Sequence, residues 1–168
     1  MAGGNACALA AAPVACGLRC HGAAVVEGCA FVRNIADLEA KRASKSVAYF
    51  SRLKSLAIGG TRFEGNTATN LLIVSSTNNI AVRRSIFRTN LGQALRAFQL
   101  FAGDFVIEDC LFAYNRSPSK RVREDGGAIT SKEAPGQKLT IKRSHFDHNE
   151  VTSPDTRTDG GASNLNTA

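Results

Sequence analysis

The chain repeats itself, and the repeat limits what it can fold into more than any other feature. Five segments align without gaps on a Phe-x-x-Asn ending: AVVEGCAFVRN, LAIGGTRFEGN, IAVRRSIFRTN, FVIEDCLFAYN and LTIKRSHFDHN. The endings are Phe31/Asn34, Phe63/Asn66, Phe87/Asn90, Phe112/Asn115 and Phe146/Asn149. Seven residues before each Phe stands an apolar residue: Ala24, Leu56, Ile80, Phe105 and Leu139. Five before it stands a β-branched one: Val26, Ile58, Val82, Ile107 and Ile141. Two before it stands a small one: Cys29, Thr61, Ser85, Cys110 and Ser144. The first two positions have the period of two that a strand requires, in side chains that favour pleated backbone. The phase then slips by one residue, so that the small residue and the Phe share a second inward alternation. Such a slip marks a bend between two short strands. The bend itself is polar or Gly: Glu27-Gly28, Gly59-Gly60, Arg83-Arg84, Glu108-Asp109 and Lys142-Arg143. A chain that bends and keeps its apolar side chains inward is coiling.

The Phe positions lie 32, 24, 25 and 34 residues apart. Those intervals are too irregular for a helical array and suit a fixed strand core with a loop that takes insertions. A second signature lies upstream. Gly126-Gly127-Ala128-Ile129 precedes the last unit, Gly160-Gly161-Ala162-Ser163 follows it, and Gly3-Gly4-Asn5-Ala6 precedes the first. The middle units carry apolar strands there: SVAYF (46–50), LLIV (71–74) and LRAFQLF (95–101). The loop after each Asn, such as RSPSKRVRED (116–125), is expected to absorb the length differences. The stretch IADLEAKRASK (35–45) has helix-compatible spacing and reads as one short helix inserted between two coils.

Composition sets outer bounds. A chain of 168 residues is ordinarily one domain, and 43% hydrophobic with 21% charged residues is globular. No apolar run approaches the roughly 18–20 residues needed to cross a bilayer, so no membrane span is expected. The net charge of +7 raises nucleic acid, anionic glycans or a membrane surface as partners, provided the charges cluster. Of five cysteines, Cys7, Cys16, Cys20 and Cys29 fall in the first thirty residues. They suit either a local disulfide staple in an oxidising compartment or small buried hydrophobes. Cys16-x-x-x-Cys20-His21 has no second ligand pair downstream, so zinc is not expected. The opening MAGGNACALAAAPVACG lacks the positive start and Leu-rich centre of a convincing signal peptide.

Phe-x-x-Asn repeats alternating with Gly-Gly-Ala-Ile resemble the repeats of chlamydial polymorphic outer-membrane proteins and related autotransporter adhesins. More broadly, the units resemble the right-handed parallel β-helix of pectin-lyase-like proteins. The resemblance runs from Gly3 to Ser163, with Gly-Gly-Ala-Ile intact at Gly126–Ile129. It implies an all-β chain, a right-handed parallel β-helix solenoid of about five coils, in a single domain over residues 1–168. It also implies a secreted or cell-surface location and an adhesive or structural role. In such a stack like residues sit on like residues, about 4.8 Å apart, so the five Phe and the five Asn form inner ladders. Stacked Asn amides satisfy one another, and Asn tolerates a left-handed turn. The chain opens and closes at Gly-Gly strands without a capping helix, which reads as a fragment of a longer solenoid whose neighbouring coils are its partners.

No catalytic set and no cofactor motif is legible. A polysaccharide lyase or glycoside hydrolase on this fold needs clustered carboxylates for proton transfer or calcium. The only acid pair at the bend, Glu108-Asp109, has Arg83-Arg84 and Lys142-Arg143 as neighbours, which suggests an ion-pair ladder. The same alternation argues against nucleic acid. The densest polar cluster is Arg143, His145, Asp147 and His148, where a His/Asp constellation could bind metal or move protons, or be solvated surface. Arg116, Lys120, Arg121 and Arg123 form a basic loop suited to surface glycans or anionic polysaccharide, or simply to water. The expected function is therefore a non-enzymatic surface β-helix. A carbohydrate-active enzyme and a basic module binding anionic polysaccharide are the alternatives.

Overall fold

A computed structural model describes residues 16–19, 22–35, 46–98, 100–101, 103–118, 127–132, 137–152 and 163–166, with backbone alone at 16–19, 118, 132 and 163–166. The regular structure in these residues is all strand, in three sheets whose pairings are parallel. The first sheet holds β1 (Cys16–Arg19), β4 (Ser46–Ser51), β7 (Thr67–Ser75) and β10 (Leu91–Phe98). It then divides, because β10 pairs with both β13 (Arg116–Pro118) and β14 (Ile129–Lys132). These pair in turn with β17 (Glu150–Thr152) and β18 (Ser163–Asn166). The second sheet stacks β2 (Ala23–Glu27), β5 (Ser55–Gly59), β8 (Asn79–Arg83), β11 (Gly103–Glu108) and β15 (Gln137–Lys142). The third stacks β3 (Ala30–Val32), β6 (Arg62–Glu64), β9 (Ile86–Arg88), β12 (Leu111–Ala113) and β16 (His145–Asp147).

The chain visits the three sheets cyclically, and each return lays a strand beside the one before. One cycle is a rung. The register matches the repeat alignment: Val26 pairs Ile58, Ile58 pairs Val82, Val82 pairs Ile107 and Ile107 pairs Ile141. The Phe residues pair in the same way across the third sheet. Their rings stack face to face from Phe31 to Phe146, with centroids 4.7–4.9 Å apart and planes within 8° of parallel. That spacing is set by strand hydrogen bonding and falls in the range where offset aromatic stacking is favourable. The apolar runs SVAYF and LLIV occupy β4 and β7, where Val47, Ala48, Leu71, Leu72, Ile73 and Val74 are all buried. Runs without alternation belong to parallel strands covered on both faces.

Three expectations about local structure are corrected. Length variation is not taken up directly after the Asn. From Asn66 onward, the residue following the Asn donates its amide to the Asn carbonyl of the adjacent rung, as in Leu91 to Asn66, Arg116 to Asn90 and Glu150 to Asn115, all 2.8 Å. That bond holds the next residues in strand, so Arg116–Pro118 is β13 rather than loop. The departures come later, inside strands of the first sheet. Ile35 bridges Thr67 while Ser46 pairs Asn70, and Leu91 pairs Arg116 while Leu95 pairs Ile129. The intervening residues 36–45 and 119–126 lie outside the described residues. So does the expected helix at 35–45 apart from Ile35, together with Cys7, Cys20, Lys120, Arg121 and Arg123.

The second correction concerns the corners. Asn does not take the left-handed conformation; the residue before it does. Arg33, Gly65, Thr89, Tyr114 and His148 have φ between 45° and 62°. At the other corner Gly28, Gly60, Arg84, Asp109 and Arg143 do the same, with φ between 45° and 62°. For a non-glycine residue this costs on the order of 1–2 kcal/mol, so something must hold it. At this second corner side-chain caps do so. Ser85 Oγ donates to Arg83 O (2.8 Å), Ser144 Oγ to Lys142 O (2.9 Å), Thr61 Oγ1 to Gly59 O (3.0 Å) and Cys110 Sγ to Glu108 O (3.2 Å). The small position is therefore a donor position as well as a small one.

The third correction concerns the ladder ends. The five Asn and five Phe do not all lie in the interior. Asn66, Asn90 and Asn115 are buried, but Asn149 is only half-buried, and so are Asn34 at the opposite end and Phe146 beside it. Asn149 also falls between strands, after β16 ends at Asp147 and before β17 begins at Glu150. The reason is its place in the stack. A ladder residue is buried by the rungs on both sides of it, and among the described residues no rung covers the outer side of β16.

Candidate functional site

The Asn column is the most completely bonded set of side chains in the described residues, and its middle members face inward. Asn90 Nδ2 donates to Asn115 Oδ1 (2.8 Å) and to Phe63 O (2.9 Å). Its Oδ1 accepts from the backbone amide of Asn66 (2.9 Å) and from Asn66 Nδ2 (3.0 Å). Asn66 repeats this arrangement one rung to one side, and Asn115 repeats its two donated bonds one rung to the other. A buried amide with both donors and its oxygen engaged is a rung-to-rung fastener, not a reagent. Asn149 keeps only the side of this arrangement that faces the rung beneath it. Its Oδ1 accepts from the Asn115 backbone amide (3.2 Å) and from Asn115 Nδ2 (2.9 Å), and its Nδ2 donates to Phe112 O (2.8 Å). No further Asn follows it in the column among the described residues, so the expectation that the stacked amides satisfy one another stops at this position.

The outer columns carry the chemistry that remains. At the corner between the second and third sheets, Arg143 reaches Asp109 (Nε–Oδ1 2.7 Å) and Glu108 (2.6 Å), while Arg83 reaches Glu108 (3.1 Å). The Arg143 guanidinium hydrogen-bonds Asp109 and holds its carboxyl below the ordinary aspartate range. The Arg143 pKa is raised in turn by Asp109 and Glu108. The ladder also skips a rung. Glu27 pairs with Arg84 (3.4 Å), two rungs away, because Gly59-Gly60 stands between them. A Cβ on Gly59 would lie 2.0 Å from Glu27 Oε2, so the carboxylate occupies the space the missing side chain leaves. A separate outer pair, Arg88 with Glu64, lowers the Glu64 pKa through the same kind of hydrogen bond.

The sequence cluster Arg143, His145, Asp147 and His148 does not assemble as one group. Arg143 is committed to the corner ladder. Asp147 and His148 are in contact through Oδ1 and Nδ1, and the His148 ring stacks on Tyr114 at 5.0 Å. His145 is exposed on β16, opposite Leu111. Among the described residues no group of three or more His, Cys, Asp or Glu is placed to hold a metal ion. Arg116 lies in β13 and pairs with Glu150 (3.8 Å). Burial pushes the Cys110 thiol up, as expected of a core-packed thiol and not of a reactive one.

Sequence reasoning missed the Tyr114–His148 stack and the Glu27–Arg84 pair. The first was signalled by an aromatic and a His at the same position, one before Asn, in successive repeats. The second was signalled by two glycines in the one column position between an acid and a base. No helix in the described residues is long and apolar enough to cross a membrane. Comparison of the chain with protein-family models, with curated proteins and with solved structures finds no match.

Proposed function

We propose that the chain is a single right-handed parallel β-helix solenoid that serves as a structural or adhesive scaffold at a cell surface or outside the cell, without catalysis of its own. The cyclic sheet order with in-register ladders supports the solenoid, and parallel crossovers are right-handed in about 98% of known cases. An experimentally determined map with left-handed crossovers would refute the hand.

The observation that carries the functional reading is the fate of Glu108 and Asp109. An enzyme of this architecture would spend such carboxylates on proton transfer or calcium. Here they are held by Arg83 and Arg143 in bonds between rungs. The likeness of the Phe-x-x-Asn repeats to surface adhesins supplies the adhesive part. The test is to offer the purified chain pectin, alginate and other uronate polymers, and in parallel immobilised cell-surface glycans. Glycan retention without turnover is expected. Turnover that Glu108→Gln abolishes would replace the proposal with the enzyme reading. Retention on heparin-like polymers alone, lost as ionic strength rises, would replace it with the anionic-polymer reading.

A further inference from the structure

We propose that the open end formed by β15, β16 and β17 docks against the same surface of a second copy of this chain, giving a two-fold symmetric, end-to-end dimer. The inference does not rest on the adhesive reading.

The two ends of the ladder differ. In the first rung Ala24, Val26 and Phe31 are 1%, 2% and 4% exposed. In the last, the equivalent Leu139 and Phe146 are half-buried and Ile141 is 39% exposed, against 0% for Ile107 beneath it. Among the described residues no strand pairs with the outer edges of β15 and β16, and β17 pairs only with β13. An apolar strip with a free backbone edge is a surface for strand addition.

Its sequence says which strand. Residues 140–152, TIKRSHFDHNEVT, are self-complementary when reversed about Phe146. Reversal is what a two-fold axis through β16 produces, since it sets the two copies' edges antiparallel. Lys142 then faces the partner's Glu150, and His145 faces the partner's Asp147. Ile141 faces the partner's Val151, and Thr140 faces the partner's Thr152. Each match occurs twice. Facing is preserved as well. Lys142 and Glu150 are both exposed, His145 and Asp147 both belong to the outer face of their rung, and Ile141 and Val151 both belong to inner columns, above Ile107 and buried Ser117. Each corner takes two residues, 143–144 and 148–149, so the strip bends symmetrically about its centre. A head-to-tail stack lacks this fit, because the first rung presents no open core. Closed two-fold pairing also uses up the edges of β15, β16 and β17, where a heterologous contact would leave one exposed at each end.

Sedimentation of the full chain across roughly 1–100 µM tests the proposal, a range that spans moderate self-association. The expected result is a concentration-dependent species of twice the 17.8 kDa chain mass, with no larger polymer. Ile141→Lys, at an exposed position the monomer tolerates, should weaken association about tenfold or more by placing charge in the joined core. Lys142→Glu should weaken it about tenfold, because each of two attractive pairs becomes a repulsive one. Lys142→Glu combined with Glu150→Lys should restore it. The swap is decisive even if Ile141→Lys fails to fold, since rescue requires residue 142 of one copy to meet residue 150 of the other. A monomer at all concentrations overturns the proposal and leaves the edge to a strand of a different chain. An open-ended polymer, or a dimer indifferent to the charge swap, also overturns it.

Discussion

Replacing Asn90 by Ala tests whether the inner amide column holds the rungs together. Asn90 is 2% exposed and makes four hydrogen bonds: two donated, to Asn115 Oδ1 and Phe63 O, and two accepted, from the Asn66 backbone and side chain. Truncation removes all four and leaves their partners buried. At about 1–1.5 kcal/mol for each bond lost with its partner unsatisfied, the cost is about 4–6 kcal/mol. That is a large fraction of the roughly 5–15 kcal/mol that keeps a domain folded. Asn34 is the control. It donates to Asn66 Oδ1 from Nδ2 (2.8 Å) and from its backbone amide (2.9 Å), and only the first of these is lost in Asn34→Ala. Its side chain is half-buried, so the expected cost is about 1 kcal/mol. Urea melts of the two variants beside the parent measure the difference. Equal costs at the two positions, or a loss below about 1 kcal/mol for Asn90→Ala, would refute the view that column depth sets the value of the amide.

Three further outcomes follow from the same geometry. Phe87→Ala should cost about 3–5 kcal/mol by leaving Phe63 and Phe112 with one bare ring face each, whereas Phe146→Ala, half-buried with one ring neighbour, should cost about 1–2 kcal/mol; thermal melts distinguish them. Asp109 and Glu64 have pKa values lowered by their arginine partners, so their contribution is complete above the unfolded carboxylate pKa and is lost as pH falls through the lower folded value. Stability should therefore drop on acidification below about pH 4, and Asp109→Asn should flatten that limb; an unchanged acid limb in this variant counts against the ladder. Thr89 is β-branched at φ 53°, so Thr89→Gly should stabilise by about 0.5 kcal/mol or more despite the extra freedom of the unfolded chain, and a destabilised variant in the same melts would show that the corner is not strained.

The inner columns were legible in the sequence because they repeat. Val26, Ile58, Val82, Ile107 and Ile141 announce themselves by identity of position, and their in-register pairing follows from it. Repetition does not reveal depth, however: Asn149 reads like Asn90 in the sequence, and only its place on the last rung leaves it half-buried. The bend was legible as a phase slip. Which residue bends was not, because the left-handed position is filled by Gly, Arg, Asp, Thr, Tyr and His with no common chemistry. What is common lies one residue on: the corner between the second and third sheets carries a capping Ser, Thr or Cys, and the next corner carries Asn. The hydroxyl or thiol shared by Cys29, Thr61, Ser85, Cys110 and Ser144 was visible as a list of small residues, but smallness is not why the position is kept polar. The inserted lengths were read as starting one to three residues early, at 35 and 116, because Asn looks like the end of a unit. In the backbone it is a corner within one, held by the amide that follows it. The cluster at 143–148 looked like a site because four polar residues are close in sequence. Arg143 and His148 sit at the two corners that flank β16, and each is given to a different neighbour.

A residue's worth in this chain depends on its column and on its distance from an open edge, and the two together constrain where function can reside. Phe63, Phe87 and Phe112 have a ring on both faces; Phe146 has one. Leu56 is buried under a rung on each side, and Leu139 is not. In a stack whose stability is a sum of nearest-neighbour contacts, a rung with a neighbour on one side only, as this one has among the described residues, is held less firmly than the middle ones. Asp147, His148, Asn149 and Glu150 all stand on that rung. Any role that needs them fixed, whether toward a glycan or a metal, therefore needs something to cover the edge beneath their backbone. The self-complementary strip from Thr140 to Thr152, in a second copy of the chain, offers such a cover. If it closes, those outer side chains pass from the weakest rung to the centre of a continuous ladder, and a polar face of Tyr114, His145, Asp147 and His148 becomes paired across the two-fold axis with its own image.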